Sequence, residues 1–250
     1  MPLCELRYRS NVLEKQTSAS VLLPSTDVPG PYHVMFLLHG LSDDQSAWTR
    51  YTSIERYMSG LPIIVVMPDG GRGWYCDAEH GYAYATAIGV ELPEVIRHYF
   101  PTKEGWCSTG LSMGGYGATK LALTHPEVFV SGHSHSGALG FGHHVEYLES
   151  DRGVEFRRIL GDNPVGGPND LYALSANLAV ADRPKLRIDC GTEDFLIEDN
   201  RAFDAHLSKI GFAHEYEEFG GAHTWDYWDR HVTEAIDFHC RNLGIERPTA

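Results

Sequence analysis

Two short apolar runs, His33-Val34-Met35-Phe36-Leu37-Leu38 and Ile63-Ile64-Val65-Val66-Met67, constrain this chain more than any other feature. Neither alternates apolar with polar residues, so neither has a face to offer to water. Such strands suit the centre of a sheet covered on both sides. Residues 106–110, 128–133, 186–190 and 214–219 read as further strands. Between them the spacing predicts helices over 47–59, 84–100, 113–125, 195–210 and 223–241. Ala87, Val90, Val95 and Ile96 are the expected inward positions of the second helix, and Pro101, Pro126 and Gly211 are stop signals for three of the five. Strand–helix alternation of this kind implies right-handed crossovers and a mostly parallel sheet with helices on both faces. Residues 5–9 and 19–23 read as two additional N-terminal strands.

A length of 250 residues fits one α/β domain over 1–250. Residues 138–181 interrupt the rhythm with Gly161-Asp162 and Gly166-Gly167-Pro168. They read as an insertion between strands that forms a partial lid over the functional face.

The formal net charge of −14 argues against a nucleic-acid partner, because phosphate backbones would be repelled. No run approaches the roughly 20 apolar residues needed to span a bilayer, so no membrane partner is expected. The opening residues are broken by Glu5 and Arg7 and do not read as a signal peptide. The five cysteines are odd in number and form no CxxC pair, which fits free thiols in a reducing, cytoplasmic setting. His133 and His135 share one side of a strand, but no third metal ligand is evident by spacing. Gly70-Gly71-Arg72-Gly73 lacks the G-x-x-x-x-G-K-[ST] phosphate pattern. Neither a metal nor a cofactor is therefore expected. A homo-oligomer is compatible with the sequence.

Gly110-Leu111-Ser112-Met113-Gly114 is a G-x-S-x-G sequence between a short strand and a Gly-rich helix start. In that context it forms a sharp turn that lifts the serine hydroxyl above the sheet, and the flanking glycines avoid a clash across the turn. A serine hydroxyl needs a base, and the base needs an acid to orient it. In strand–turn–helix serine hydrolases the order is Ser, then Asp or Glu, then His. Asp194 lies in the loop after the strand 186–190 and is the expected acid, with Glu193 and Asp199 as rivals. Asp189 falls within the strand. His223 sits in a loop after a late strand and is the expected base; His214 opens a strand, and His231 and His239 fall inside a helix. The oxyanion of the tetrahedral intermediate calls for two backbone donors. Met113 N–H, next to the serine, and Leu41 N–H, in the loop His39-Gly40-Leu41-Ser42, are the candidates.

Leu37-Leu38-His39-Gly40-Leu41, Gly110-Leu111-Ser112-Met113-Gly114-Gly115-Tyr116-Gly117, Cys190-Gly191-Thr192-Glu193-Asp194-Phe195-Leu196 and Gly221-Ala222-His223-Thr224-Trp225 stand in one order. Together they resemble the esterase family of α/β-hydrolases that includes esterase D, S-formylglutathione hydrolases, bacterial tributyrin-type esterases and some feruloyl and acetyl-xylan esterases. The resemblance implies an α/β-hydrolase fold, a triad of Ser112, Asp194 and His223, and an oxyanion hole at Leu41 and Met113. The motifs look more like the short bacterial carboxylesterases than the formylglutathione hydrolases, which usually carry a histidine where Tyr116 stands.

The expected activity is hydrolysis of short-chain acyl esters, small molecules, through an acyl-enzyme. The alternatives are an S-formylglutathione hydrolase, a feruloyl or acetyl-sugar esterase, and a catalytically silent binding module. Trp48, Trp74, Tyr75, His135 and Trp225 are expected to line the substrate pocket, whereas Trp228 reads as core.

Overall fold

In a computed structural model describing residues 1–247, eight strands form one sheet in the order β1-β2-β4-β3-β5-β6-β7-β8. These are β1 (Leu3–Ser10), β2 (Lys15–Leu22), β3 (His33–Leu38), β4 (Ile63–Pro68), β5 (Trp106–Leu111), β6 (Phe129–His135), β7 (Lys185–Gly191) and β8 (His214–Phe219). β1 and β2 form an antiparallel hairpin that joins the edge of β4, and β3 to β8 are all parallel.

The uninterrupted apolar runs have a direct explanation in the packing. Val34, Phe36, Leu38, Ile64 and Val66 face one core, and Met35, Leu37, Ile63, Val65 and Met67 face a second one on the opposite side. Successive strand side chains alternate between faces, and here both faces are dry. Each such side chain stabilises the fold by about 1.5–3 kcal/mol.

The helices are α1 (Ala47–Tyr51), α2 (Ile54–Tyr57), α3 (Tyr84–Thr86), α4 (Leu92–Tyr99), α5 (Met113–Thr124), α6 (Glu146–Glu149), α7 (Gly153–Leu160), α8 (Leu171–Asn177), α9 (Ile197–Lys209) and α10 (Trp225–Leu243). The first core is covered by α4, α5, α7, α8 and α9, and the second by α2 and α10. α6, α7 and α8 lie in the long connection between β6 and β7, where the insertion over 138–181 is expected.

Two predicted helices differ from the expectation. The one over 47–59 is broken at Thr52, whose backbone is extended. The Thr52 hydroxyl donates to the Trp48 carbonyl, and the Ser53 amide is taken by Asp229 Oδ1 at 2.7 Å. Side-chain bonds of this kind replace those that would continue the helix. The one over 84–100 contains a π-helical turn, Ala87–Glu91. Its wider turn moves Val90 outward to 43 % exposure, while Ile88, Leu92 and Ile96 face the core. The same turn directs Glu91 to the β1–β2 turn, where it accepts from the Ser10 hydroxyl and the Asn11 amide.

Candidate active site

Ser112 stands alone between β5 and α5 with φ 55° and ψ −118°, a conformation a side chain adopts only when its surroundings enforce it. Three backbone bonds do so. Its amide donates to the His135 carbonyl at 2.9 Å, and its own carbonyl accepts from Tyr116 and Ala138 at 3.1 and 3.2 Å. The flanking glycines are steric necessities. A Cβ on Gly110 would collide with the Gly114 carbonyl, and one on Gly114 would meet the Leu38 and His39 carbonyl oxygens, the latter at 2.7 Å.

Asp194 and His223 occupy the loops after β7 and β8. His223 Nδ1 lies 2.8 Å from Asp194 Oδ2 and 3.0 Å from Oδ1, and the Leu196 amide donates to Oδ1 at 2.8 Å. Burial pushes the Asp194 carboxyl up, but the bonds from His223 and Leu196 outweigh it and hold its pKa below the ordinary value. The two rival acids have other partners. Glu193 laces the two loops together: its amide donates to the Gly221 carbonyl at 3.0 Å and its carboxylate accepts from the Gly221 amide at 2.5 Å. Asp199 accepts from the Tyr147 hydroxyl at 2.5 Å and so anchors the β6–β7 connection.

Ser112 and His223 open onto one cavity of about 610 Å³. Leu41 lines it as well. Among the described residues, neither the Leu41 nor the Met113 amide donates to a protein acceptor. The loop carrying Leu41 is held from behind. Buried His39 has its pKa lowered by desolvation; the Gly70 amide donates to its Nε2 at 2.9 Å, so Nδ1 carries the proton and donates to the Gly40 carbonyl at 2.7 Å.

Of the five expected pocket residues, Trp74 and Trp225 line the cavity. Trp48, Tyr75 and His135 do not; they are fully buried behind its wall. Trp48 Nε1 donates to the Leu38 carbonyl at 3.0 Å and the Tyr75 hydroxyl to the His39 carbonyl at 3.0 Å, so both brace the Leu41 loop. His135 points beneath the sheet end, with Nδ1 2.8 Å from Asp189 Oδ2. A polar handle on a large ring turned Trp48 and Tyr75 to buried acceptors, which spacing along a loop does not reveal. Trp228, expected in the core, is buried and also forms part of the cavity wall. Tyr147, Phe156 and Phe195 line the cavity without having been singled out. Adjacency to Asp194 was the available signal for Phe195.

Asp189 is the third partner of His133 and His135 that spacing did not disclose. His133 Nε2 lies 2.6 Å from Asp189 Oδ2, and the Tyr227 hydroxyl donates to Oδ1 at 2.8 Å. Two ligands on tetrahedral zinc, with bonds of about 2.0–2.1 Å, would stand about 3.3 Å apart. The His133 Nε2–Asp189 Oδ2 separation is that of a hydrogen bond, whereas among the described residues neither ring nitrogen of His135 makes one. Desolvation, with His135 adding to it, lowers the His133 pKa to about 3. Burial alone would raise Asp189, but the two imidazoles more than reverse this and hold it well below the usual carboxylate range.

Comparison with known proteins bears on the family and the class of reaction. A family model described as "Putative esterase" matches residues 10–239. An acetyl esterase of Caldicellulosiruptor saccharolyticus is 29% identical, with 95% of this chain and 98% of that protein covered. The structure is similar to that of FphF, a fluorophosphonate-binding serine hydrolase of Staphylococcus aureus, with a TM-score of 0.86 and 30% identity over 95% of this chain and 98% of that one. It is also similar to the S-formylglutathione hydrolase FrmB of Staphylococcus aureus, with a TM-score of 0.84 and 30% identity over the same shares. The chain belongs to this esterase family, as a serine hydrolase of carboxylic esters on the α/β-hydrolase fold.

Proposed function

We propose that Ser112, His223 and Asp194 act as a triad that hydrolyses short-chain acyl esters of small alcohols. The observation that carries this is the shared cavity: the strained Ser112 turn and the Asp194-bound His223 both open onto it. Asp194 accepts a hydrogen bond from Nδ1–H, which keeps the proton on Nδ1 and leaves Nε2 free to act as base. Ser112 Oγ attacks the ester carbonyl carbon while His223 Nε2 takes its proton. The Leu41 and Met113 amides receive the oxyanion. Collapse breaks the ester bond, and the alcohol leaves with the proton from His223. Water then attacks the acyl-enzyme with the same base, releasing the acid and Ser112.

His223 must reach the leaving oxygen, so the alcohol lies on its side of the cavity, where the Phe195 and Trp228 rings stand 4.4 and 4.9 Å from the His223 ring between centroids. The acyl group then lies against the other aromatic cluster, Trp74 and Phe156, whose rings are 5.3 Å apart. That wall favours acetyl to butyryl groups. Ser112→Ala should lower turnover of p-nitrophenyl acetate by several orders of magnitude; retention of wild-type turnover would refute the assignment. Faster hydrolysis of long-chain than of acetyl or butyryl esters would refute the chain-length preference.

The likeness to FrmB favours a second reading, an S-formylglutathione thioesterase. Against it, Asp43 and Asp151 outnumber the one guanidinium, Arg152, in the cavity lining and the chain carries a net charge of −14, which opposes an anionic thiol leaving group. The ratio of kcat/KM for S-formylglutathione to that for short acyl esters separates the two. We further infer a single domain with residues 138–181 as a partial cap, and a cytoplasmic setting in keeping with five unpaired cysteines.

A further inference from the structure

We propose that Asp43 selects esters whose alcohol half carries an alkylammonium group, held beside the nucleophile by its carboxylate and by the aromatic rings of the cavity mouth. The inference rests on the triad reading given above and names a substrate class for it.

Asp43 lies in the loop that carries Leu41 and lines the cavity onto which Ser112 and His223 open. Its carboxylate and the nucleophile flank Gly40: a Cβ placed on Gly40 would lie 3.3 Å from Asp43 Oδ2 and 3.8 Å from Ser112 Cβ. The neighbouring Asp44 is committed to the fold. Its Oδ1 accepts from the Ser46 amide at 2.8 Å and from the Ser46 hydroxyl at 2.6 Å. Those bonds, with the charge of Arg50 adding to them, hold its pKa below the ordinary value. Asp43 is placed differently. Among the described residues no side chain donates to its carboxylate, and burial raises its pKa.

In that position a negative charge without a partner works against the reaction of a neutral ester. It repels the oxyanion that forms at the Leu41 and Met113 amides, and partial burial strengthens the repulsion. A cationic group in the substrate removes that opposition and adds an attraction of its own.

The surrounding surface suits such a group. Asp43 and Tyr51 line one depression beside the cavity. The Tyr51 ring stacks on Trp225 with centroids 4.9 Å apart. Trp225 leads through Trp228 to His223, at 5.3 and 4.9 Å between centroids. This arc runs along the side of the cavity where the alcohol lies. Phe195, 74 % exposed, adds an open ring against His223. Aromatic faces attract alkylammonium groups through their quadrupoles. The guanidinium of the cavity, Arg152, belongs to the β6–β7 connection, which also supplies Phe156 on the acyl side. The net charge of −14 draws cations towards the protein.

The test compares acetylcholine with 3,3-dimethylbutyl acetate, a neutral ester of the same shape. The ratio of their kcat/KM values is taken on one preparation, so the folded fraction cancels. Asp43→Asn should lower this ratio by about tenfold or more, because the charge is removed while the shape is kept. Trp225→Leu should lower it severalfold. Added sodium chloride should lower the ratio of the wild-type enzyme. An Asp43→Asn ratio equal to that of the wild type would overturn the proposal. So would a wild-type ratio that sodium chloride does not move, a result that needs no variant to fold. An equal fall with Asp151→Asn would also overturn it, by tracing the preference to overall charge instead of to Asp43. Ser112→Ala is measured alongside. If it keeps wild-type turnover of both esters the triad reading itself fails; if it is inactive while Asp43→Asn keeps the wild-type ratio, only the role of Asp43 falls.

Discussion

The Tyr227 hydroxyl donates to Asp189 Oδ1 at 2.8 Å, tying the helix that follows His223 to the strand that precedes Asp194. Both groups are buried, and the Tyr227 ring also packs where a Cβ on Gly221 would lie, at 2.7 Å. Tyr227→Phe should therefore destabilise the protein by about 1.5–3 kcal/mol, as expected for losing a hydrogen bond to a charged acceptor. Urea unfolding reads the change. An unaltered midpoint would mean that the bond contributes nothing net.

The imidazoles around Asp189 should make the fold acid-sensitive well above the carboxylate range. The His133 pKa is lowered to about 3 by desolvation, and that of His239 is also well below its ordinary value for the same reason. Unfolded, both titrate near 6.5. The unfolded state thus binds more protons between these values, and stability falls as the pH drops from about 6.5 towards about 3. Asp189, held low in the fold, acts in the same sense once the pH passes below the ordinary carboxylate value. The urea midpoint should decline between pH 7 and pH 5, and His133→Gln should flatten the decline. A midpoint constant over that range would contradict the neutral buried state.

Gly114→Ala should damage stability and turnover together. The added methyl meets carbonyl oxygens of Leu38 and His39, which belong to backbone and cannot rotate away. α5 must retreat from β3 at a cost of about 1–3 kcal/mol. Retreat carries the Met113 amide with it, so kcat should fall by about tenfold or more even in the folded fraction. Thermal melting and steady-state kinetics on one preparation measure both.

Phe156→Ala should lengthen the preferred acyl chain. Phe156 is buried against Trp74 and Phe141 and lines the cavity. Room for two more methylenes, at about 0.8 kcal/mol each, corresponds to roughly a tenfold gain in kcat/KM for hexanoyl over butyryl esters. An unchanged ratio would move the acyl group to the His223 side of the cavity.

The central sheet was legible because its strands are dry on both faces, so Val34 and Met35 are equally apolar although they serve different cores. Helix continuity was less legible. Thr52 and Ser53 end α1 through bonds to Trp48 and to Asp229, the latter far away in sequence. The π-turn at Ala87–Glu91 is linked to Glu91 reaching the β1–β2 turn. The candidate site was read from chain order, and the structure brings Asp194 onto His223 and both Ser112 and His223 onto one cavity. Aromatic roles were legible only in part. Trp48 and Tyr75 have the composition of pocket residues, but their donors are spent on carbonyls of Leu38 and His39.

The β6–β7 connection contributes Ala138, Tyr147, Arg152 and Phe156 to the cavity lining. That connection is also the crossover by which two neighbouring parallel strands are joined. With the acyl group placed as proposed, selectivity and continuity of the chain are written into the same stretch of gene. A lineage built on this scaffold can exchange its acyl preference by replacing the stretch, but it cannot discard the stretch without severing the sheet.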